Sequence, residues 1–74
     1  MKALVVTKKN GIRRFLVDIH TDKLVQEIAI LIGREKYSQA AEIILQKGRI
    51  EKELSEKDAK DVKADLLIEE AGAL

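Results

Sequence analysis

Several residue types are absent from or scarce in this chain of 74 residues. It has no cysteine, proline or tryptophan, and histidine, phenylalanine and tyrosine occur once each. Without cysteine there is no disulfide and no thiolate metal site, and a lone His20 argues against a transition-metal site. The absence of thiols and of a signal-peptide pattern is typical of a cytoplasmic protein. We therefore expect no metal, no cofactor and a cytoplasmic location.

Long apolar runs and catalytic constellations are also missing. The longest apolar run, residues 28–32, is far shorter than the roughly 20 residues of a membrane span. No Ser-His-Asp arrangement or paired-carboxylate spacing is visible, and the four glycines are dispersed singly rather than grouped in a phosphate-binding loop. Two aromatic residues are too few for stacking on single-stranded RNA. The sequence predicts a protein that is neither an enzyme nor a membrane protein.

Aliphatic and charged residues make up most of what is present. Apolar residues account for 46% of the chain and charged residues for 36%. A chain of this size buries only about 60% of the surface that its unfolded form exposes, so small folds need extra support. Because disulfides and metals are excluded, oligomerisation is the remaining way to stabilise so small a fold, and we expect a homodimer.

The charge is sorted along the chain. Residues 1–20 have a net charge of +4, residues 21–50 of +1 and residues 51–74 of −4, which together give the formal +1. A basic beginning and an acidic end suggest two different partners, one anionic and one cationic or apolar.

The amino-terminal twenty residues are predicted to form a β-hairpin. Residues 2–9 and 12–19 are rich in β-branched side chains, and Asn10-Gly11 between them is typical of a type I′ turn. A two-residue loop places Val6 opposite Phe15 and Lys8 opposite Arg13. The core face of this hairpin would then consist of Leu4, Val6, Phe15, Val17 and Ile19.

Helical periodicity begins after the hairpin. Thr21 or Asp22 can cap a first helix that Gly33 permits to stop, and Ser38 is a suitable N-cap for a second helix. Gly48 either ends that second helix or lies within it, and the sequence leaves both possibilities open. Ser55-Glu-Lys-Asp58 has capping-box form and predicts a third helix to about Ala71, with Gly72 as its terminating glycine.

The basic residues of the hairpin suggest an anionic partner. The predicted register places Lys8 against Arg13, with Lys9 and Arg14 adjoining, and like charges on opposite positions oppose strand pairing. Bound phosphates would relieve that repulsion, and a two-stranded ribbon fits the DNA major groove. The same charges are also typical of a hairpin tip that lysines keep soluble.

Residues 14–54 resemble the ribbon-helix-helix DNA-binding proteins. The resemblance consists of a strand at 15–19, a helix from Asp22, a short turn and a second helix whose start, Tyr37 to Ile44, is similar to that of ParD-type antitoxins. It implies an intertwined dimer whose paired strands enter duplex DNA, with Arg14 and Asp18 at the outward positions of the ribbon and Ser38 and Gln39 at a phosphate. It also implies that residues 55–74 wrap a partner toxin.

A non-enzymatic protein-interaction or assembly domain without DNA binding is the alternative. Its acidic third helix would pack into a partner's groove through Val62, Leu66 and Leu67. Either function rests on one small α+β domain spanning residues 1–74. The prediction is a β-hairpin or ribbon at 1–20, a helical core at 21–54 and an acidic helix at 55–74, giving two or three helices in an intertwined homodimer.

Overall fold

In the computed structural model, which describes residues 1–70, a four-stranded sheet is covered on one face by two helices. The elements in chain order are β1 (Lys2–Thr7), β2 (Arg13–Asp18), α1 (Asp22–Gly33), α2 (Tyr37–Lys47), β3 (Arg49–Leu54), α3 (Glu56–Lys60) and β4 (Leu66–Glu69). The strand order is β3-β2-β1-β4. The α+β class, the amino-terminal strand pair and the three helices are confirmed, whereas β3 and β4 were not predicted.

The hairpin register differs from the prediction by one residue. Val5, not Val6, lies opposite Phe15, and five residues connect the two strands. Gly11 has a positive φ of 88°, but Asn10 does not, whereas a type I′ turn needs positive φ at both central residues. The predicted two-residue turn is therefore wrong.

The one-residue shift exchanges the two faces of β1. Ala3 and Val5 are fully buried in the core with Val17 and Ile19, whereas Leu4 and Val6 lie on the other face of the sheet. The small Ala3 suits this position because α2 packs against β1 and β4 and contributes two fully buried alanines of its own, Ala40 and Ala41. Leu4 and Val6 were therefore wrongly assigned to the core face.

The two helices begin and end close to the predicted positions. Thr21 caps α1, since its side-chain oxygen accepts a hydrogen bond from the Leu24 backbone N–H at 3.2 Å, and α1 ends at Gly33. The N-cap of α2 is Lys36, which makes no side-chain capping bond, so the predicted capping role of Ser38 is wrong.

Gly48 ends the second helix. Its backbone is extended, with φ −76° and ψ 172°, and β3 begins at the next residue. A Cβ atom at Gly48 would lie 2.5 Å from Val17 Cγ1 and 2.6 Å from the Ile44 carbonyl oxygen. The chain passes here too close to β2 for any side chain, which is why a glycine stands at this junction.

The last quarter of the described chain is mostly not helical. Ser55 caps α3 through a 3.1 Å hydrogen bond from the Asp58 backbone N–H, as the capping-box pattern predicts. This helix ends at Lys60, however, and the chain then crosses to the opposite edge of the sheet, where β4 pairs in parallel with β1. The long acidic helix is therefore wrong, and its predicted end at Ala71 and Gly72 lies outside the described residues.

The predicted helical core at 21–54 also needs correction. Its last six residues form β3, which pairs antiparallel with β2. The register of this pair shifts at a bulge between Leu16 and Val17. Consequently β2 has β1 on one edge and β3 on the other, both from the same chain. In the described residues no helix is long and apolar enough to cross a membrane.

Candidate functional site

Parallel pairing of β4 with β1 brings the two ends of the charge gradient together. Glu69 lies opposite Val6, and the Glu70 backbone N–H donates to the Val6 carbonyl at 2.8 Å. The carboxylates that follow β4 are thus neighbours of the lysines that follow β1. Lys8 Nζ lies 3.2 Å from a Glu69 oxygen, on the sheet face away from α1 and α2. The basic beginning and the acidic end of the sequence are therefore partners of each other.

Lys9 is held between two carboxylates from different elements. Its Nζ lies 3.1 Å from a Glu70 oxygen and 3.3 Å from a Glu42 oxygen on α2. The hydrogen bonds to Glu70 and then to Glu42 raise the pKa of Lys9 above its ordinary value. Lys9 and Glu42 are exposed, but the Glu70 side chain is only 6% exposed. Burial thus fixes the Glu70 carboxylate, whereas Lys9 and Glu42 are on exposed, flexible side chains.

Arg13 is paired just as closely. Its guanidinium makes two hydrogen bonds to Glu53 on β3, at 3.0 and 2.7 Å, and lies 5.0 Å from the centroid of the Phe15 ring. The hydrogen bonds with Glu53 raise the pKa of Arg13, and those same bonds lower the pKa of the Glu53 carboxyl. Strand register produces this contact. Glu53 lies directly opposite Phe15, and Arg13 is two residues before Phe15 on β2, so the side chains of all three point to the same face of the sheet.

Lys9, Arg13, Glu42 and Glu70 line an open cleft, which we call the hairpin cleft. It has a volume of about 460 Å³ and lies between the hairpin, α2 and the beginning of β3. Its apolar lining consists of Phe15, Leu45 and Ile50, and its polar lining of Thr7, Lys9, Asn10, Arg13, Glu42, Gln46 and Glu70. The Ile50 side chain is half exposed within this concavity. A concave apolar surface ringed by fixed polar groups is the usual form of a binding site.

Two of the six residues predicted to bind nucleic acid line this cleft, namely Lys9 and Arg13. Lys8 and Arg14 lie on or beside the opposite face of the sheet; Arg14 is half-buried and has no ion pair within residues 1–70. Ser38 and Gln39 are in the first turn of α2 and line a separate, smaller concavity of about 190 Å³. The structure therefore does not bring the six residues together on one surface.

The three residues predicted to bind a protein partner do not form one helical stripe. Val62 is half-buried in the crossing segment, Leu66 packs against the core beside Ala3, and Leu67 is 62% exposed on the other face of β4. A helix-in-groove contact through all three is wrong, because alternation along a strand sends Leu66 and Leu67 to opposite faces.

Sequence reasoning missed the acidic residues of the cleft, Glu42 and Glu70, and the partner of Arg13, Glu53. A strand prediction for the apolar run 66–68 would have placed Glu70 at a sheet end. Glu42 and Glu53 have no such local signal, because they reach Lys9 and Arg13 only through tertiary packing. In the described part of the chain no three His, Asp or Glu side chains are grouped so that they could hold a metal ion. Comparisons with models of protein families, with curated proteins and with solved structures find no match.

Proposed function

We propose that this protein is a non-enzymatic interaction domain that binds a segment of a partner protein in the hairpin cleft. The observation that carries the proposal is the exposed apolar surface inside this concavity, where Ile50 is half exposed beside Phe15 and Leu45. Exposed apolar side chains that lie singly on convex surfaces are common, whereas an apolar cleft with a polar border is typical of binding sites.

The cleft is also built on rigid parts of the fold. Phe15 and Ile50 are on paired strands, and Leu45 is on α2, whose Ile44 is fully buried. The two hydrogen bonds between Arg13 and Glu53 also join β2 to β3 at this border. A site that is already ordered loses less entropy when a partner binds, which favours binding.

DNA binding of the ribbon-helix-helix kind remains a prediction with less support. Lys8, Lys9 and Arg13 each have a carboxylate partner, so phosphates would have to compete with those partners. A dimer that pairs strand 13–18 with its copy would require β2 to release β1 or β3, because both of its edges are occupied.

The test of the interaction domain compares substitutions of two isoleucines that are each about half exposed. Ile50→Asp places a charge in the cleft, and Ile30→Asp places one on α1 outside it; Ile30 is 56% exposed. Neither substitution buries the new charge, because both side chains are half exposed, and circular dichroism verifies that both variants are folded. Quantitative mass spectrometry of co-purified proteins should show partners lost with Ile50→Asp and retained with Ile30→Asp. Equal capture by both variants would count against the proposal.

A mobility-shift assay at low salt addresses DNA in the same preparation. We expect no retarded complex between the wild-type protein and duplex DNA from its own upstream region. A salt-sensitive complex that Arg14→Ala weakens would instead support the nucleic-acid function.

A further inference from the structure

The buried carboxylate of Glu70 is the most unusual charged group of the hairpin cleft. Carboxylates are rarely buried to this extent unless they are paired, and the described partner of this one is Lys9 Nζ at 3.1 Å. Lys9 itself is 61% exposed, so its ammonium reaches the cleft from a side chain that is largely in solvent. The anion is therefore a fixed part of the cleft, and the cation that neutralises it is exchangeable.

A single nitrogen atom satisfies Glu70 and Glu42 together. Lys9 Nζ lies within 3.3 Å of an oxygen of each, so the spacing of the two carboxylates fits one ammonium or guanidinium group. Of the two cations in the cleft lining, Arg13 is bound to Glu53, which is not itself a lining residue. Lys9 therefore faces Glu42 and Glu70 as one positive charge against two negative charges. This pair of carboxylates favours a cation beside the apolar lining.

We propose that the hairpin cleft recognises a basic residue next to an apolar one in an extended segment of a partner protein, and that this cation replaces Lys9 between Glu42 and Glu70. The apolar side chain packs on Phe15, Leu45 and Ile50 while the ammonium or guanidinium binds the two carboxylates. This inference rests on the proposed function and adds the chemistry of the ligand. Lys9 acts as an internal competitor that keeps Glu70 neutralised while the cleft is empty.

The competitor role makes an unusual prediction about Lys9. Lys9→Met keeps the length of the side chain but removes the ammonium, so a partner's cation no longer has to displace it. Lys8→Met is the matched control, because Lys8 is the adjacent residue and forms an ion pair of the same kind with Glu69 on the other face of the sheet. Glu42→Gln removes one of the two carboxylates at an exposed position.

The probe is a phage-displayed library of random seven-residue peptides, selected on the wild-type protein after depletion on Ile50→Asp. The most enriched sequence is then synthesised with a fluorescent label, together with a copy in which its basic residue is norleucine. We expect Lys or Arg next to a large apolar residue, and binding about fivefold or more weaker for the norleucine copy.

The variants then test the exchange of cations. Lys9→Met should bind the basic peptide about two- to fivefold more tightly than the wild type, Lys8→Met should leave the affinity unchanged, and Glu42→Gln should weaken it about twofold. Equal binding of the norleucine copy, or weaker binding by folded Lys9→Met, overturns this inference.

Failure of the inference is distinguishable from failure of the proposed function. Cleft-dependent peptides that lack basic residues overturn the inference and leave the interaction domain supported. A library that yields no sequence bound better by the wild type than by Ile50→Asp overturns both.

Discussion

Substitution of Gly48 tests how closely the junction between α2 and β3 packs against β2. Substitution by alanine adds one methyl group, and that group would lie 2.5 Å from Val17 Cγ1, 2.6 Å from the Ile44 carbonyl oxygen and 3.3 Å from the Asp18 carbonyl oxygen. Ordinary contacts between carbon atoms are about 3.5–4.0 Å, so the closest contact is about 1 Å too short.

Neither neighbour of the new methyl group can move freely. Val17 is fully buried, and the Ile44 oxygen accepts the backbone hydrogen bond from Gly48 that closes α2. Overpacking of this kind costs about 1–3 kcal/mol, and the entropy lost by the unfolded chain on Gly→Ala substitution offsets about 0.4–1 kcal/mol. The Gly48 backbone itself is extended with negative φ, so it contributes no strain of its own. We expect Gly48→Ala to be destabilised by about 1–2 kcal/mol.

Thermal unfolding followed by circular dichroism measures this effect. For a domain of this size 1 kcal/mol corresponds to about 4–8 °C, so the Tm should fall by about 4–16 °C. Gly33→Ala is the matched control, because a Cβ atom at Gly33 meets nothing within 4 Å at the exposed end of α1. That variant should equal the wild type or exceed it by up to about 1 kcal/mol. If the Tm of Gly48→Ala equals that of the wild type, the junction does not approach β2 as closely as the structure shows.

Three further predictions concern the core, the hairpin and the pH dependence. Ile44→Ala removes a fully buried side chain and should cost about 2–5 kcal/mol in urea unfolding. Gly11→Ala should cost about 1–2 kcal/mol in the same assay, because φ is +88° there and a side chain disfavours that region. Because Arg13 lowers the pKa of Glu53, the stability that this pair contributes is present at neutral pH and is lost as the pH falls below about 4.3 toward the lowered pKa. Urea unfolding should accordingly show wild type more stable than Arg13→Gln at pH 7 and the difference reduced at pH 3; a difference that is unchanged at pH 3 would contradict the pairing.

The charge gradient has a different physical meaning in the folded protein than in the sequence. In the sequence, a basic beginning and an acidic end suggest two external partners. Once β4 pairs in parallel with β1, Lys8 and Lys9 lie beside Glu69 and Glu70. Much of the gradient is therefore used inside the molecule, where Lys9 is one positive charge between the two carboxylates Glu42 and Glu70.

Local patterns in the sequence determined the parts of this protein that depend on neighbours along the chain. β-Branched runs around Asn10-Gly11 indicated the strand pair, Thr21 indicated the start of α1, and Ser55 indicated a helix cap. In each case the deciding interactions span a few residues, so propensity and hydrogen bonding of short segments suffice.

Tertiary structure alone decided the register, the faces and the site. Whether Val5 or Val6 faces the core depends on the conformation of the whole connection and on the helices that cover the sheet. β4 is stable as a strand because β1 offers it an edge, although residues 55–70 by themselves have the capping and charge pattern of a helix. The pairs of Lys9 and Arg13 join residues 33 or more positions apart, with Lys9 and Glu42 at a separation of 33 and Arg13 and Glu53 at 40. Such contacts form only when the sheet order brings distant strands together, and no local pattern specifies that order.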